Sequence, residues 1–329
     1  MISHDFPSKS LRNQSFVTEF WLLGFQGINK LNIPLFFLFL TIYISILCGN
    51  ILIIAVIMVS PNLRPPMYFF LAHLSWSDIF LTSIIIPTIL STLLKNGDKI
   101  TLSGCITQLY LFGSSTITEC FLLTVMSYDR YLAICHPLRY ITIMDQKHRV
   151  LLVTCSWASA FLLTLTTVSQ MWQLQFCGPN VIDHFLCDPT PLMALSCSDT
   201  SSIELQNLVL GVPVTLFPLS FIVVTYIYIF ITIMKISSST GRQKAFSTCS
   251  SHLVVVCMYY LTLVTLYVIP SKGLSNNLAK VQSLLYTVVT PLFNPIIYSL
   301  RNHEIRAELK RLIYRNRQQR DKFSRALMH

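Results

Sequence analysis

The stretch "SYDRYLAICHPLRY", from Ser127 to Tyr140, places charged and polar side chains directly after a long apolar run. Asp129 and Arg130 form the first charged pair at the end of that run. Ionisable groups are costly wherever lipid surrounds them. If the run crosses a bilayer, the pair must therefore face protein or water. The rest of the sequence indicates whether the run is a membrane span.

The whole chain has the composition of a membrane protein. Of its 329 residues, 53% are hydrophobic and only 12% are charged, and the mean hydropathy is +0.59. A typical soluble domain is about one quarter charged. Spanning a bilayer takes about 20 apolar residues in a helix. Runs of that size predict an all-α, seven-transmembrane helix bundle. They lie near Ile33–Val59, Pro66–Leu94, Ser103–Ile134, Val150–Trp172, Leu205–Met234, Thr248–Val268 and Val281–Leu300.

The distribution of Lys and Arg predicts the orientation, because cytoplasmic loops carry the excess. With the N-terminus outside, 17 of the 24 Lys and Arg residues fall in inner segments. The domains are then an extracellular segment (1–32), a transmembrane domain (33–300) and a cytoplasmic tail (301–329). No cleavable signal peptide is expected before the first span. Asn13, in an Asn-x-Ser triplet, is a candidate glycosylation site on the outer side.

The net charge of +10 mostly reflects this inner asymmetry. It predicts contact with anionic membrane lipid and no nucleic-acid partner, because the basic residues are spread over loops between spans. After Leu300, the apolar residues Ile305, Leu309 and Ile313 recur at helical spacing between basic ones. They predict a short amphipathic helix on the inner leaflet, with disorder beyond about Asn316.

Four of the ten cysteines fall on the outer side. Cys105 opens the third span, and Cys177, Cys187 and Cys197 follow the fourth. Four cysteines in an oxidising compartment predict two disulfides, and the pattern alone permits three pairings. Their spacing does not fit a structural zinc site.

Polar residues within the spans predict a functional interior. Residues 11 apart share a helix face, so one stripe of span three joins Glu119 to Arg130, about 16 Å away at 1.5 Å per residue. Asp78 in span two adds a second buried carboxylate. Two carboxylates at membrane depth predict a shared proton or a cation such as sodium. An ion- or proton-coupled transporter using Asp78 and Glu119 is one reading, although no internal repeat supports it.

Several motifs, in order, resemble the rhodopsin-like G-protein-coupled receptors. They are Gly49-Asn50, "LSWSD" ending at Asp78, "DRY" at 129–131, Trp157 and "NPIIY" at 294–298. Longer motifs resemble the olfactory receptors within that class. They are "PMYFFL" at 66–71, "SYDRYLAICHPLRY" at 127–140, "KAFSTCSSHL" at 244–253 and "PLFNPIIYSLRN" at 291–302. The resemblance covers nearly the whole chain from about Leu23 to Asn302.

The resemblance implies a multi-pass plasma-membrane receptor rather than an enzyme. Its expected partners are a small volatile odorant and a stimulatory G protein of the olfactory type, with cyclic AMP as the output. An olfactory-type receptor that senses a metabolite outside the nose fits the same motifs. The resemblance also pairs Cys105 with Cys187 and Cys177 with Cys197. It implies that the activation switch and G-protein site contain Asp129, Arg130, Tyr131, His136, Pro137, Tyr226, Asn294, Pro295 and Tyr298.

The ligand is expected between the outer halves of spans three, five, six and seven. Helical phase places Phe112 and Thr116 on the inward stripe, within two turns outward of Glu119. Alignment with the family brings Gly113, Asn207, Tyr259, Thr262 and Thr287 to the same cavity. This set is apolar with scattered hydroxyls and one amide, so it favours a small neutral ligand.

The sequence departs from the family pattern at span six. Olfactory receptors usually have Phe-Tyr-Gly where this chain has Met258-Tyr259-Tyr260. Tyr260 is much bulkier than glycine, so the packing or the pocket shape is expected to differ there. Thr225 and Ser127 are milder departures from the usual residues.

Overall fold

The computed structural model describes residues 17–25, 27, 29–177, 179–268 and 276–327. Asn13, the candidate glycosylation site, lies outside them. Six described helices are long and apolar enough to cross a membrane, and a seventh stretch, Lys280–Ser299, passes the same test together with the sharply bent Glu304–Tyr314 that follows it. Spans one to six are Asn32–Val59, Pro66–Lys95, Leu102–Cys135, Gln146–Met171, Ser201–Met234 and Ser239–Val268. Span seven consists of Asn276–Leu284, a π-helix Leu285–Val289, and Thr290–Arg301.

Capping hydrogen bonds, which hydropathy does not report, set where some of the helices begin. The Thr101 hydroxyl caps span three by accepting a hydrogen bond from the Gly104 amide at 3.1 Å. The Asp145 carboxylate caps span four by accepting from the His148 amide at 2.7 Å. Such caps satisfy amides that have no partner inside the helix. The capped span four consequently begins at Gln146, before the apolar run that starts at Val150.

Span seven is irregular where the sequence has prolines. Pro291 lies at the start of Thr290–Arg301 and Pro295 lies inside it. The π-helix ends directly before Thr290, so the backbone accommodates an extra residue before the helical "NPIIY" segment. Pro87, Pro213 and Pro218 also lie inside helices, in spans two and five.

The tail forms one helix, His303–Leu327, which bends away from span seven by 74°. It continues beyond Asn316, so the expectation of disorder there is wrong. Ile305 is fully buried against the bundle, and the Asn62 amide donates to Glu308 at 2.7 Å. Ile313 and Tyr314 remain exposed, as a helix facing a membrane surface requires.

A three-stranded sheet covers the outer end of the bundle. β1 (Glu19–Leu22) is its central strand. β2 (Asp98–Thr101), from the first outer loop, pairs with it antiparallel. β3 (Val181–Ile182), from the second outer loop, pairs with it in parallel. The segment before span one is therefore part of a folded roof, which the sequence analysis did not anticipate.

Apolar packing forms an inner and an outer core. The inner core joins all seven spans around Leu71, Leu123 and Tyr298. The outer core packs Phe185 and Leu186 of the second outer loop between spans one, two and seven. Gly49 lets span one approach Pro295, because a Cβ there would lie 3.0 Å from the proline ring.

Candidate functional site

The stripe predicted on span three does face the bundle interior. Glu119 is 2% exposed, Arg130 is 8% exposed, and Leu123 and Met126 between them are buried. Phe112 and Thr116, further outward, are half-buried. One helix face therefore connects an outer region to an ion pair at the inner surface.

Part of the predicted ligand set comes together at the outer region. The Tyr259 hydroxyl of span six donates to the Thr116 carbonyl at 2.7 Å. The Phe112 ring lies 5.6 Å from the Tyr286 ring of span seven, between centroids. Thr287, one residue further, is fully buried. These contacts place side chains of spans three, six and seven close together on the outer side of Glu119.

Gly113 and Asn207 face elsewhere. A Cβ on Gly113 would lie 2.9 Å from the Thr164 methyl group, so this glycine permits close packing of span three on span four. The Asn207 amide oxygen accepts from the Thr167 hydroxyl of span four at 3.4 Å. Both residues therefore serve contacts with span four in this conformation, which argues against their assignment to the cavity.

The second outer loop closes the roof over this region. A disulfide joins Cys105 to Cys187, and a second joins Cys177 to Cys197. The Cys187 amide also donates to Gln108 of span three at 2.9 Å. The loop is thus held to the outer end of span three by a covalent bond and a hydrogen bond.

A buried ion pair holds the same loop to span seven. The Lys280 ammonium lies 2.5 Å from the Asp183 carboxylate. The lysine side chain is 2% exposed, whereas the aspartate is 33% exposed. The two residues are 97 positions apart in the sequence, and no local pattern predicts their contact.

His184 follows Asp183 and packs beneath it. Its Nδ1 accepts from the Leu186 amide at 3.3 Å, so the ring proton lies on Nε2, which donates to the Ser283 hydroxyl at 3.3 Å. Burial, and then the nearby Lys280 charge, lower the pKa of His184 to about 4. Protonation would place a hydrogen on Nδ1 facing the Leu186 amide, which opposes the bond made there.

The buried carboxylates form a polar cluster at the middle of the bundle. The Asn294 amide lies 3.0 Å from both Asp78 carboxylate oxygens. Glu119 interacts electrostatically with Asp78. Among the described residues, no group hydrogen-bonds Glu119 Oε1 or Asn50 Oδ1, although both atoms are buried. Buried polar atoms of this kind require water, a proton or an ion.

The Asp129–Arg130 pair is closed at the inner end. Arg130 Nη2 lies 2.5 Å from Asp129 Oδ2, and its Nε lies 3.1 Å from the same oxygen. The Tyr140 hydroxyl donates to the other Asp129 oxygen at 2.8 Å. Burial, and then the Asp129 charge, raise the pKa of Tyr140. Tyr140, the last residue of the quoted stretch, therefore joins the ion pair, and we call Asp129, Arg130 and Tyr140 together the lock.

A buried histidine links three spans. His252 of span six is fully buried. Its Nε2 lies 3.1 Å from the Leu123 carbonyl of span three, and its Nδ1 lies 2.7 Å from the Tyr226 hydroxyl of span five. The carbonyl can only accept, so Nε2 carries the proton and Tyr226 donates to Nδ1. Tyr298, nearby in the same core, is also fully buried.

The inner loop after span three offers an exposed surface. Its helix, Pro137–Ile143, leaves Leu138 96% exposed and Ile141 82% exposed. His136, just before it, bonds the Tyr131 hydroxyl at 3.0 Å. An apolar surface next to a buried ion pair suits a protein partner.

A family model described as olfactory receptor matches residues 39–316. The chain belongs to the olfactory receptor family. Olfactory receptor 11A1 of Homo sapiens is 44% identical over 297 residues, which are 90% of this receptor and 94% of that protein. Olfactory receptor 5G26 of Mus musculus is 45% identical over 300 residues, covering 91% and 94%. The receptor is therefore a multi-pass plasma-membrane protein of the G-protein-coupled class and not an enzyme.

The fold has a solved counterpart. The crystal structure of squid rhodopsin superposes on this receptor with a TM-score of 0.72, covering 87% of this chain and 82% of that one. Only 15% of the residues are identical. The likeness shows the seven-helix fold, and the family assignment rests on the sequence relatives.

Proposed function

We propose that this receptor binds a small, neutral, mostly apolar odorant within the helix bundle and activates a stimulatory G protein of the olfactory type, which raises cyclic AMP. The observation that carries the proposal is the continuous inward face of span three. It joins the outer region at Thr116 to the closed Asp129–Arg130 pair. A ligand on this face can alter the lock without contacting it directly.

The chemistry of the outer region supports a neutral ligand. Phe112, Thr116, Tyr259, Thr262 and Thr287 offer rings and hydroxyls, which bind by apolar contact and one or two hydrogen bonds. The Thr262 hydroxyl, which donates to the Tyr259 carbonyl at 2.7 Å, is one of these groups. Lys280 in the roof is already paired with Asp183. A carboxylate ligand would therefore have to displace that aspartate.

Signalling follows as a shift between populations of the bundle. A ligand favours the active packing only by its difference in affinity for the two states. The contacts that hold the silent state are the Asp129–Arg130–Tyr140 lock and the bridge from His252 to Tyr226. The G protein would then dock at Arg130, at the exposed Pro137–Ile143 helix, and at the inner end of span six.

The central cluster supports a sodium ion or a shared proton as a regulator. Hard cations prefer oxygen ligands, and Glu119 Oε1 is a buried oxygen of that kind on a carboxylate that interacts with Asp78. These residues would hold the ion, which would neutralise one of the two carboxylates. The family assignment favours this regulatory role over an ion-coupled transporter.

A cyclic-AMP screen of an odorant panel in cells carrying the receptor tests the proposal. Alcohols, aldehydes, ketones or esters should activate it, and short-chain acids at neutral pH should not. Thr262→Val should weaken the response to a hydroxyl-bearing agonist at unchanged surface expression, by about fivefold to tenfold for one lost hydrogen bond. Activity confined to carboxylic acids would refute the neutral cavity. Ligand-evoked current without G protein would instead favour a transporter.

A further inference from the structure

Tyr260 occupies the position where the family pattern Phe-Tyr-Gly has glycine. Its side chain points into the bundle and is only 4% exposed. It packs in the inner core with Cys120, Leu123 and Ile222. The Tyr260 side chain therefore occupies interior space that a glycine at this position would leave empty.

The Tyr260 hydroxyl is anchored at a junction of three spans. Pro218 has no amide hydrogen, so the Val214 carbonyl of span five loses its partner four residues on. The Cys120 thiol of span three donates to that carbonyl at 3.5 Å. The Tyr260 oxygen lies 3.1 Å from the Cys120 sulfur. Since the thiol hydrogen is used on the carbonyl, the tyrosine donates to the sulfur.

This junction lies directly beneath the outer region. Cys120 is one helical turn inward of Thr116 on span three. The Tyr259 hydroxyl bonds to the Thr116 carbonyl, and the rings of Tyr259 and Tyr260 meet edge to face at 5.3 Å between centroids. The Tyr260 ring is thus the layer immediately below the groups that would contact an odorant.

We propose that Tyr260 is a specificity-determining residue that forms the floor of the ligand cavity and sets the greatest ligand length the receptor accepts. This inference rests on the proposed function, because it needs a ligand at Thr116 and Tyr259. The thiol contact fixes the ring across the gap between spans three, five and six. A longer ligand then has no space to extend inward.

The expected effect is large because the vacated volume is that of an aromatic ring. An apolar cavity of about 150 Å³ is enough to hold benzene. One methylene in an apolar pocket changes discrimination by about tenfold or more. Replacing Tyr260 by glycine should therefore admit homologues that are several carbons longer than the wild-type receptor accepts.

The test measures cyclic-AMP dose–response curves for straight-chain alcohols lengthened one carbon at a time. Tyr260→Gly should move the longest active alcohol to a longer chain and improve potency beyond the wild-type limit by about tenfold. Tyr260→Phe keeps the ring and should keep the wild-type limit. Leu261→Gly is the matched control. It introduces the same helix-weakening residue at a lipid-facing position that is 65% exposed, and it should not move the limit.

Surface expression is measured for every variant. If Tyr260→Gly does not reach the surface, Tyr260→Leu decides, because it keeps an apolar helix former and removes most of the ring; the same shift is expected in smaller degree. If the longest active alcohol is unchanged in the surface-expressed variant, the inference is overturned and the proposed function stands. An equal shift in Tyr260→Phe or Leu261→Gly has the same meaning. A wild-type receptor that responds to no compound in the panel overturns the proposed function and this inference with it.

Discussion

Removing Asp183 should destabilise the receptor far more than removing Lys280, although the two form one ion pair. Asp183→Asn leaves the ammonium of a side chain that is 2% exposed without its counter-charge. Removing one partner of a buried pair in this way costs about 3–5 kcal/mol. Lys280→Met removes the buried charge itself and leaves Asp183, which is 33% exposed, to water. The free energy of unfolding should then fall only by the contribution of an exposed pair, which is about 1 kcal/mol or less.

The assay is the melting temperature of the detergent-solubilised receptor, with surface expression in parallel. Soluble domains of about 150–250 residues lose about 2–4 °C per kcal/mol. Asp183→Asn should therefore lower the melting temperature by roughly 6 °C or more, and Lys280→Met by a few degrees at most. Combining the two changes should recover most of the loss caused by Asp183→Asn, because no buried charge then remains unpaired.

A matched control is available on the same face. Glu19 and Lys99 form a pair at 3.6 Å that is exposed on both sides. Glu19→Gln should leave the melting temperature unchanged, because such pairs contribute little. If Lys280→Met lowers the melting temperature as much as Asp183→Asn does, the asymmetry argued from burial is refuted.

Three further predictions concern protonation and the switch. The pKa of His184 is about 4 when folded and 6.5 ordinarily, so the unfolded chain binds the proton first as pH falls. Stability should be full above about pH 6.5 and decline toward pH 4; a wild-type slope retained in His184→Gln would contradict this. Glu119→Gln should change basal signalling or its response to sodium, and a silent variant would argue against the ion site. Tyr140→Phe should raise basal cyclic AMP by about fivefold, the equivalent of one hydrogen bond of about 1 kcal/mol. Unchanged basal output at equal surface expression would remove Tyr140 from the lock.

The sequence predicts the bundle well because hydropathy and helical phase report local properties. Each span needs an apolar run, and the inward face of span three follows from the cost of exposing Glu119 and Arg130 to lipid. Their burial agrees with that reasoning. The family motifs add the Asp129–Arg130 pair, which no periodicity could assign, whereas Tyr140 is identified only by its hydrogen bond to Asp129.

Contacts between distant segments explain what the sequence did not predict. Alignment with the family assigns Gly113 to the cavity, yet the absence of a Cβ there allows Thr164 of span four to pack against it. His252 looks like an ordinary core residue until Leu123 and Tyr226 are placed beside it. Such pairings depend on how helices rotate against each other, and one sequence does not contain that information.

The outer sheet did leave a local signal. Within β1, Phe20 and Leu22 are 1% exposed while Glu19 is exposed, which is the alternation of a half-buried strand. Four residues are too short a run for periodicity to separate a strand from a loop. The partners of β1, moreover, lie in two different loops.

The central position of β1 has a consequence for biogenesis. β1 emerges from the ribosome before any span, but its parallel partner β3 is separated from it by four of them. The Asn180 side chain bonds the Glu19 carbonyl across 161 residues of sequence. At about 5–20 residues per second, the ribosome needs about 10–30 s to make that stretch. During this interval the β1 edge facing β3 is unpaired in the lumen, where it is open to chaperones. β1 is thus translated before both of its partners and gains the second of them only after span four has been made.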